Sequence, residues 1–176
     1  MEKTTAWQNL FLQAECMKSL QYQTGCGIMT GSPFQSAETL AEDMIFMSEF
    51  QPQMVGIGPF IPHKDTPFYA CPAGALEQTL MLLSLTRIML ENVLLPATTA
   101  LATLQPDGRI QGILAGGNVI MPNLTPEAVQ KNYLLYNNKK LADKPVSDAV
   151  KLLQQELSGI GYNIAVCRGD IGEKVC

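Results

Sequence analysis

Four short apolar stretches rich in small residues recur along the chain: GCGIMTG at 25–31, MVGIGPF at 54–60, NVLLPATT at 92–99 and GNVIMPN at 117–123. Segments of helical pattern precede the first and separate the first three. Residues 6–20 carry apolar side chains at 7, 10, 11, 14 and 17, a helical spacing. Ser36 is placed to cap a helix over 37–50, with Leu40, Met44 and Met47 on one face. A third helix is predicted over about 76–91, and LQPDGRIQG is read as a turn built on Asp107-Gly108. Thr125-Pro126-Glu127 opens a further helix, Ser147 caps a last one that stops near Gly159, and YNIAVCRG at 162–169 reads as a terminal strand. Alternation of this kind, with strands apolar on both faces, predicts a parallel sheet near 24–30, 53–58, 93–98 and 117–121 with helices outside. Four strands cannot close an eight-stranded barrel, so the chain reads as an open half of one.

Bulk properties exclude several classes. The chain has 176 residues, 47% of them hydrophobic and 16% charged, enough for a packed core. The formal charge is −4 and no basic run tracks a phosphate backbone, which argues against nucleic acid as a partner. The longest apolar stretch, 79–96, is interrupted by Arg87, Glu91 and Asn92, so no membrane partner is expected. Five cysteines in no framework spacing point to a reducing compartment. The first ten residues lack the order of a signal peptide, and a cytoplasmic protein is expected.

In parallel sheets with outer helices, ligands bind beyond the carboxyl ends of the strands. Gly31-Ser32-Pro33, the proline-rich 59–67 loop, Thr98-Thr99 and Met121-Pro122-Asn123 all fall there. That loop is read either as the wall of a pocket or as a stiff connection with no ligand. Several other motifs fail on spacing. Gly25 and Gly27 lack a third glycine at position 30 and lie inside the strand, so they form no phosphate cradle. His63 has no second histidine for a metal site and reads as a loop residue. The cysteines form no CxxC. Tyr133 and Tyr136 share a helix face, open to either packing or binding. Thr98 and Thr99 can offer hydroxyls to a ligand or cap the strand end.

The wording MVGIGPFIPHKDTPF, LLPATTAL, GGNVIMPN and YLLY resembles the radical S-adenosylmethionine maturase of iron-only hydrogenase, the E-type maturation protein, over most of residues 20–137. The resemblance implies the C-terminal half of a TIM-type (β/α) radical S-adenosylmethionine barrel at 1–137 and a helical extension and tail at 138–176. It implies S-adenosylmethionine and a 4Fe-4S cluster as cofactors of the intact family member, and radical chemistry on a small sulfur-containing substrate. Thr98, Thr99, Met121, Tyr133 and Tyr136 would line the pocket, with Met54 and Ile61 in the same cavity. The tyrosine at 133 would hold a ligand carboxylate.

This chain departs from the family pattern at the cluster. It has no CxxxCxxC, and the family arginine that meets the S-adenosylmethionine carboxylate aligns near Leu10. Residues 138–160 hold no cysteine for an accessory cluster. The expected partners are the missing N-terminal half or other hydrogenase maturation proteins. The alternative readings are a non-catalytic binding module, a degenerate barrel fragment, or half of a biotin synthase-like enzyme.

Overall fold

The structure, a computed structural model, describes residues 6–122, 125–126, 129 and 146–172. Its centre is a four-stranded parallel sheet of β1 (Gly25–Thr30), β2 (Met54–Pro59), β3 (Pro96–Ala97) and β4 (Val119–Ile120), paired in that order. Spatial order equal to chain order means that every crossover runs the same way. Right-handed crossovers then put all the helices on one face. This is the winding of a (β/α) barrel rather than of a doubly wound sheet, and the half-barrel expectation is borne out.

The helical layer follows from local signals. α1 spans Ala6–Ser19 and α2 Ala37–Phe50. Ser36 caps α2 as predicted: its Oγ accepts the Thr39 N–H at 3.3 Å, and Thr39 Oγ1 accepts the Ser36 N–H at 3.0 Å. The helix ends at Gln51, whose left-handed φ of 51° lets its N–H reach the Met47 carbonyl. α3 spans Leu76–Met89. Leu40, Met44 and Met47 of α2 and Leu82 and Leu83 of α3 pack onto Val55 and Ile57 of β2, which are wholly buried. α6 (Val146–Gly159) adds Leu153 and Leu157 to the same core.

Several polar groups inside this layer are paired, although Arg87 Nη2 and Arg109 Nε are buried without a partner among the described residues. Thr79 donates to the Ala75 carbonyl at 3.0 Å, which leaves its oxygen to accept from Thr30 Oγ1 at 2.6 Å. Arg87 holds the end of α3 to the turn before β4. Its Nε donates to the Gly116 carbonyl at 2.8 Å and its Nη1 to the Glu91 carbonyl at 2.7 Å.

Three expectations need correction. The 105–108 turn does not join strand directly to strand, because α4 (Thr99–Leu104) precedes it and α5 (Gly108–Leu114) follows it. Helices of 6 and 7 residues are too short to show a period, and Pro106, Gly108 and Gly112 hide them further. Gly112 is kept small by packing, since a Cβ there would lie 2.8 Å from Leu101 Cδ1. YNIAVCRG is no strand. Its chain is tied by side chains instead, with Ile164 N–H donating to Gln154 Oε1 at 3.2 Å. Ser147 is the second residue of α6, not a cap outside it. The helix expected from Thr125 lies largely outside the described residues.

Replacing Thr79 by valine leaves the buried Thr30 hydroxyl only the Gly58 carbonyl, at 3.5 Å. We expect Thr79→Val to cost about 1–3 kcal/mol in urea unfolding, and Thr30→Val with Thr79→Val to recover part of that loss. Cys26 faces the helices beside Asp43, and burial, then the Asp43 charge, pushes its thiol up to about 11. The unfolded chain ionises from 9.0 and the folded chain only from about 11, so this thiol lowers stability as pH rises through that window. Peptide-mapped alkylation at pH 8 should therefore label the exposed Cys16 and Cys167 well before Cys26.

Candidate functional site at the carboxyl edge of the sheet

Alternation along the strands divides the sheet into two faces. Ile57 lies opposite Ala97, and both are buried against the helices. Their successors, Gly58 and Thr98, therefore face the opposite, concave side. Met29 lies opposite Gly58 on that side and is exposed. Among the described residues, the concave face near the carboxyl edge is thus built from glycine, methionine and threonine.

Thr98 stands out there. Its Oγ1 is buried and has no hydrogen-bond partner among the described residues. It is the N-cap of α4, yet its side chain makes no capping bond. Gly58 leaves it room: a Cβ at that position would lie 3.0 Å from the hydroxyl. A buried hydroxyl without a partner costs free energy, so Thr98 presents an unused donor and acceptor to whatever fills the concave side.

Thr99 opens α4, and its carbonyl accepts from Thr103 Oγ1 at 3.2 Å. Met121 follows β4 directly and is 48% exposed. Asn118 braces the strands beneath these residues, accepting the Leu95 N–H at 2.7 Å and donating to the Val93 carbonyl at 3.3 Å.

The loop between β2 and α3 stands over this edge and is clamped at both ends. Phe60 N–H donates to the Thr30 carbonyl at 2.8 Å, and Gly74 N–H donates to the Phe60 carbonyl at 2.8 Å. Gly74 has to be glycine, because a Cβ would meet the Thr30 carbonyl oxygen at 2.2 Å. Within the loop, the Thr66 hydroxyl donates to the His63 carbonyl at 2.8 Å, and His63 Nδ1 accepts the Asp65 N–H at 3.2 Å. His63 is therefore a turn-former in the loop. Ile61 is half-buried in the same loop.

The sequence-predicted residues separate into three groups. Thr98, Thr99, Met121 and Ile61 come to the carboxyl edge. Met54 does not: it starts β2, opposite Gly25 and bridged to Leu94, at the amino end of the sheet. Five residues of strand put it about 17 Å from Pro59, on the same face of the sheet as Gly58. Tyr133 and Tyr136 lie outside the described residues. Gly58 and Asn118 were missed. The period-two pattern of Gly56 and Gly58 is a signal for the first, and nothing local marks the second.

Among the described residues, no group of three or more His, Cys, Asp or Glu side chains is placed to hold a metal ion. Cys16, Cys26, Cys71 and Cys167 are all free. No described helix is long and apolar enough to cross a membrane.

Over 135 residues the chain is 44% identical to the FeFe hydrogenase maturase subunit HydE of Thermotoga maritima, a match covering 77% of this chain. The chain belongs to the HydE maturase family. It spans about two fifths of that relative, 39% of its length. No protein-family model matches the chain. A HydE-type chain of this extent, with a four-stranded parallel sheet and helices, corresponds to part of a barrel. Because Thr98 Oγ1 makes no bond among the described residues, Thr98→Val should leave the urea midpoint unchanged or raise it, by up to about 1 kcal/mol, where most buried threonines would lose stability.

Proposed function

We propose that this chain supplies the substrate-holding part of a radical S-adenosylmethionine enzyme that matures the active site of FeFe hydrogenase. The observation that carries the reading is the unpartnered Thr98 hydroxyl, buried on the concave carboxyl edge of a HydE-type half-barrel. Thr98 would donate a hydrogen bond to a small carboxylate-bearing ligand. Thr99 and Met121 would flank that ligand, and the clamped 60–74 loop would keep water from one side. Tyr133 and Tyr136 would contribute from the segment after β4. Because the loop is ordered by its own hydrogen bonds, little conformational entropy is left to lose on binding.

The described residues do not fit a 4Fe-4S cluster. Such a cluster takes several thiolates at one place, and Cys26 is packed against the helices while Cys16 lies exposed on α1. When bound by its own ligands, the cluster supplies the electron that cleaves S-adenosylmethionine. In this reading those ligands come from other parts of a HydE-type barrel, and this chain orients the substrate. The remaining family partners, other hydrogenase maturation proteins, belong to the same proposal, as does a reducing, cytoplasmic setting.

Calorimetry with S-adenosylmethionine and with small thiol amino acids tests it. Thr98→Val should weaken binding by about 0.5–1.5 kcal/mol, the usual worth of one hydrogen bond, without loss of fold. Binding that is indifferent to Thr98→Val and Tyr133→Phe would refute the pocket.

A further inference from the structure

α3 is the central helix of the outer layer. Every crossover runs the same way, so α2 lies between β1 and β2, α3 between β2 and β3, and α4 with α5 between β3 and β4. Both flanks of α3 are therefore taken by this chain. Thr86 Oγ1 donates to Met44 Sδ of α2 at 3.7 Å. On the other side, Ser84 Oγ donates to the Ala115 carbonyl, just after α5, at 3.1 Å. Strands added at either edge of the sheet would set their helices beside α2 or beyond β4, clear of the outer face of α3.

That outer face is apolar. Met81, Leu85 and Met89 are exposed and stand four residues apart, which makes one ridge along the helix. Ile88 lies beside the ridge and is 74% exposed. Leu114, 60% exposed at the end of α5, extends the patch, since the carbonyl that Ser84 holds belongs to the next residue. Between Gln78 and Leu90 the sequence has a single charged residue, Arg87. Its guanidinium is occupied within the protein. Nε and Nη1 donate to the Gly116, Leu90 and Glu91 carbonyls, and Nη2 is buried. The exposed Glu77 and Glu91 bound the patch at its two ends.

A surface helix ordinarily turns charged and polar residues to solvent, so an uncharged apolar ridge there calls for a partner. The five side chains leave apolar surface on the order of 500 Å², at the upper end for one patch on a monomer. A stable interface takes about 800 Å² from each partner, of which about 65% is apolar in a homodimer, or roughly 500 Å². The patch thus has the size and composition of one half of a dimer interface.

We propose that the outer face of α3 is the docking surface for a second copy of this chain, packed about a two-fold axis at Leu85. A two-fold interface needs one patch that complements itself. The ridge does so: antiparallel helices would set Met81 of one copy against Met89 of the other, and Leu85 against Leu85. Interdigitated ridges of this spacing cross at about −50°. That angle splays the helix ends, so Glu77 of one copy clears Glu91 of the other. An apolar ridge with no charge along it offers nothing for a charged partner to pair with. The surface lies on the helix side of the sheet, so pairing leaves the concave carboxyl edge accessible, and the inference stands apart from the maturase reading.

Sedimentation velocity of the full chain over a concentration series tests it. The chain should show a concentration-dependent dimer. Leu85→Glu and Ile88→Glu should each raise the dissociation constant at least tenfold, while Ile45→Glu, at an exposed position on α2, should leave it unchanged. All three positions are exposed, so far-ultraviolet circular dichroism should match the parent chain. Under mild oxidation Leu85→Cys should give a disulfide between two copies that peptide mapping finds as position 85 joined to position 85, and Ile45→Cys should give no such symmetric link. A chain that stays monomeric across the series overturns the interface. So does a dimer that survives both Leu85→Glu and Ile88→Glu.

Discussion

The parallel register of β1 on β2 is the constraint on which the rest of this structure depends. Gly27 faces Gly56 so closely that a Cβ at position 27 would lie 2.2 Å from the Gly56 carbonyl oxygen. A slip of one residue would reverse every side chain between the helix layer and the concave face. In the observed register, Thr30 reaches Thr79, Val55 and Ile57 enter the core, and Gly58 opens the space beside Thr98. The core, the loop clamp and the candidate site are therefore consequences of one pairing.

Two treatments of buried polarity separate structural from functional roles. Thr30, Thr79 and Asn118 spend their polar atoms on bonds that hold helices to strands or strands to one another. Thr98 lies at an equivalent strand end and spends nothing. The difference follows from facing. Thr30 points toward α3, whose Thr79 accepts from it, whereas Thr98 points to the concave side, where the described chain offers no partner.

The four strands and the four long helices, α1, α2, α3 and α6, were legible because their signals are local. Small β-branched runs mark the strands, and Ser36 with a 3.6-residue apolar period marks α2. α4 and α5 were not legible, because Pro106, Gly108 and Gly112 are breakers by propensity, although the two glycines pack closely on Leu101.

What the sequence determined by itself is the parallel, helix-covered sheet and its count of strands, since periodicity and breaker residues act over a few positions. The wording of the loops also carried the family. What only the tertiary structure decided is which polar groups meet. The pairing of Thr30 with Thr79 spans 49 residues, and the isolation of Thr98 depends on facing Gly58 across the sheet. Such contacts arise from chain segments brought together by burial, and no local pattern records them.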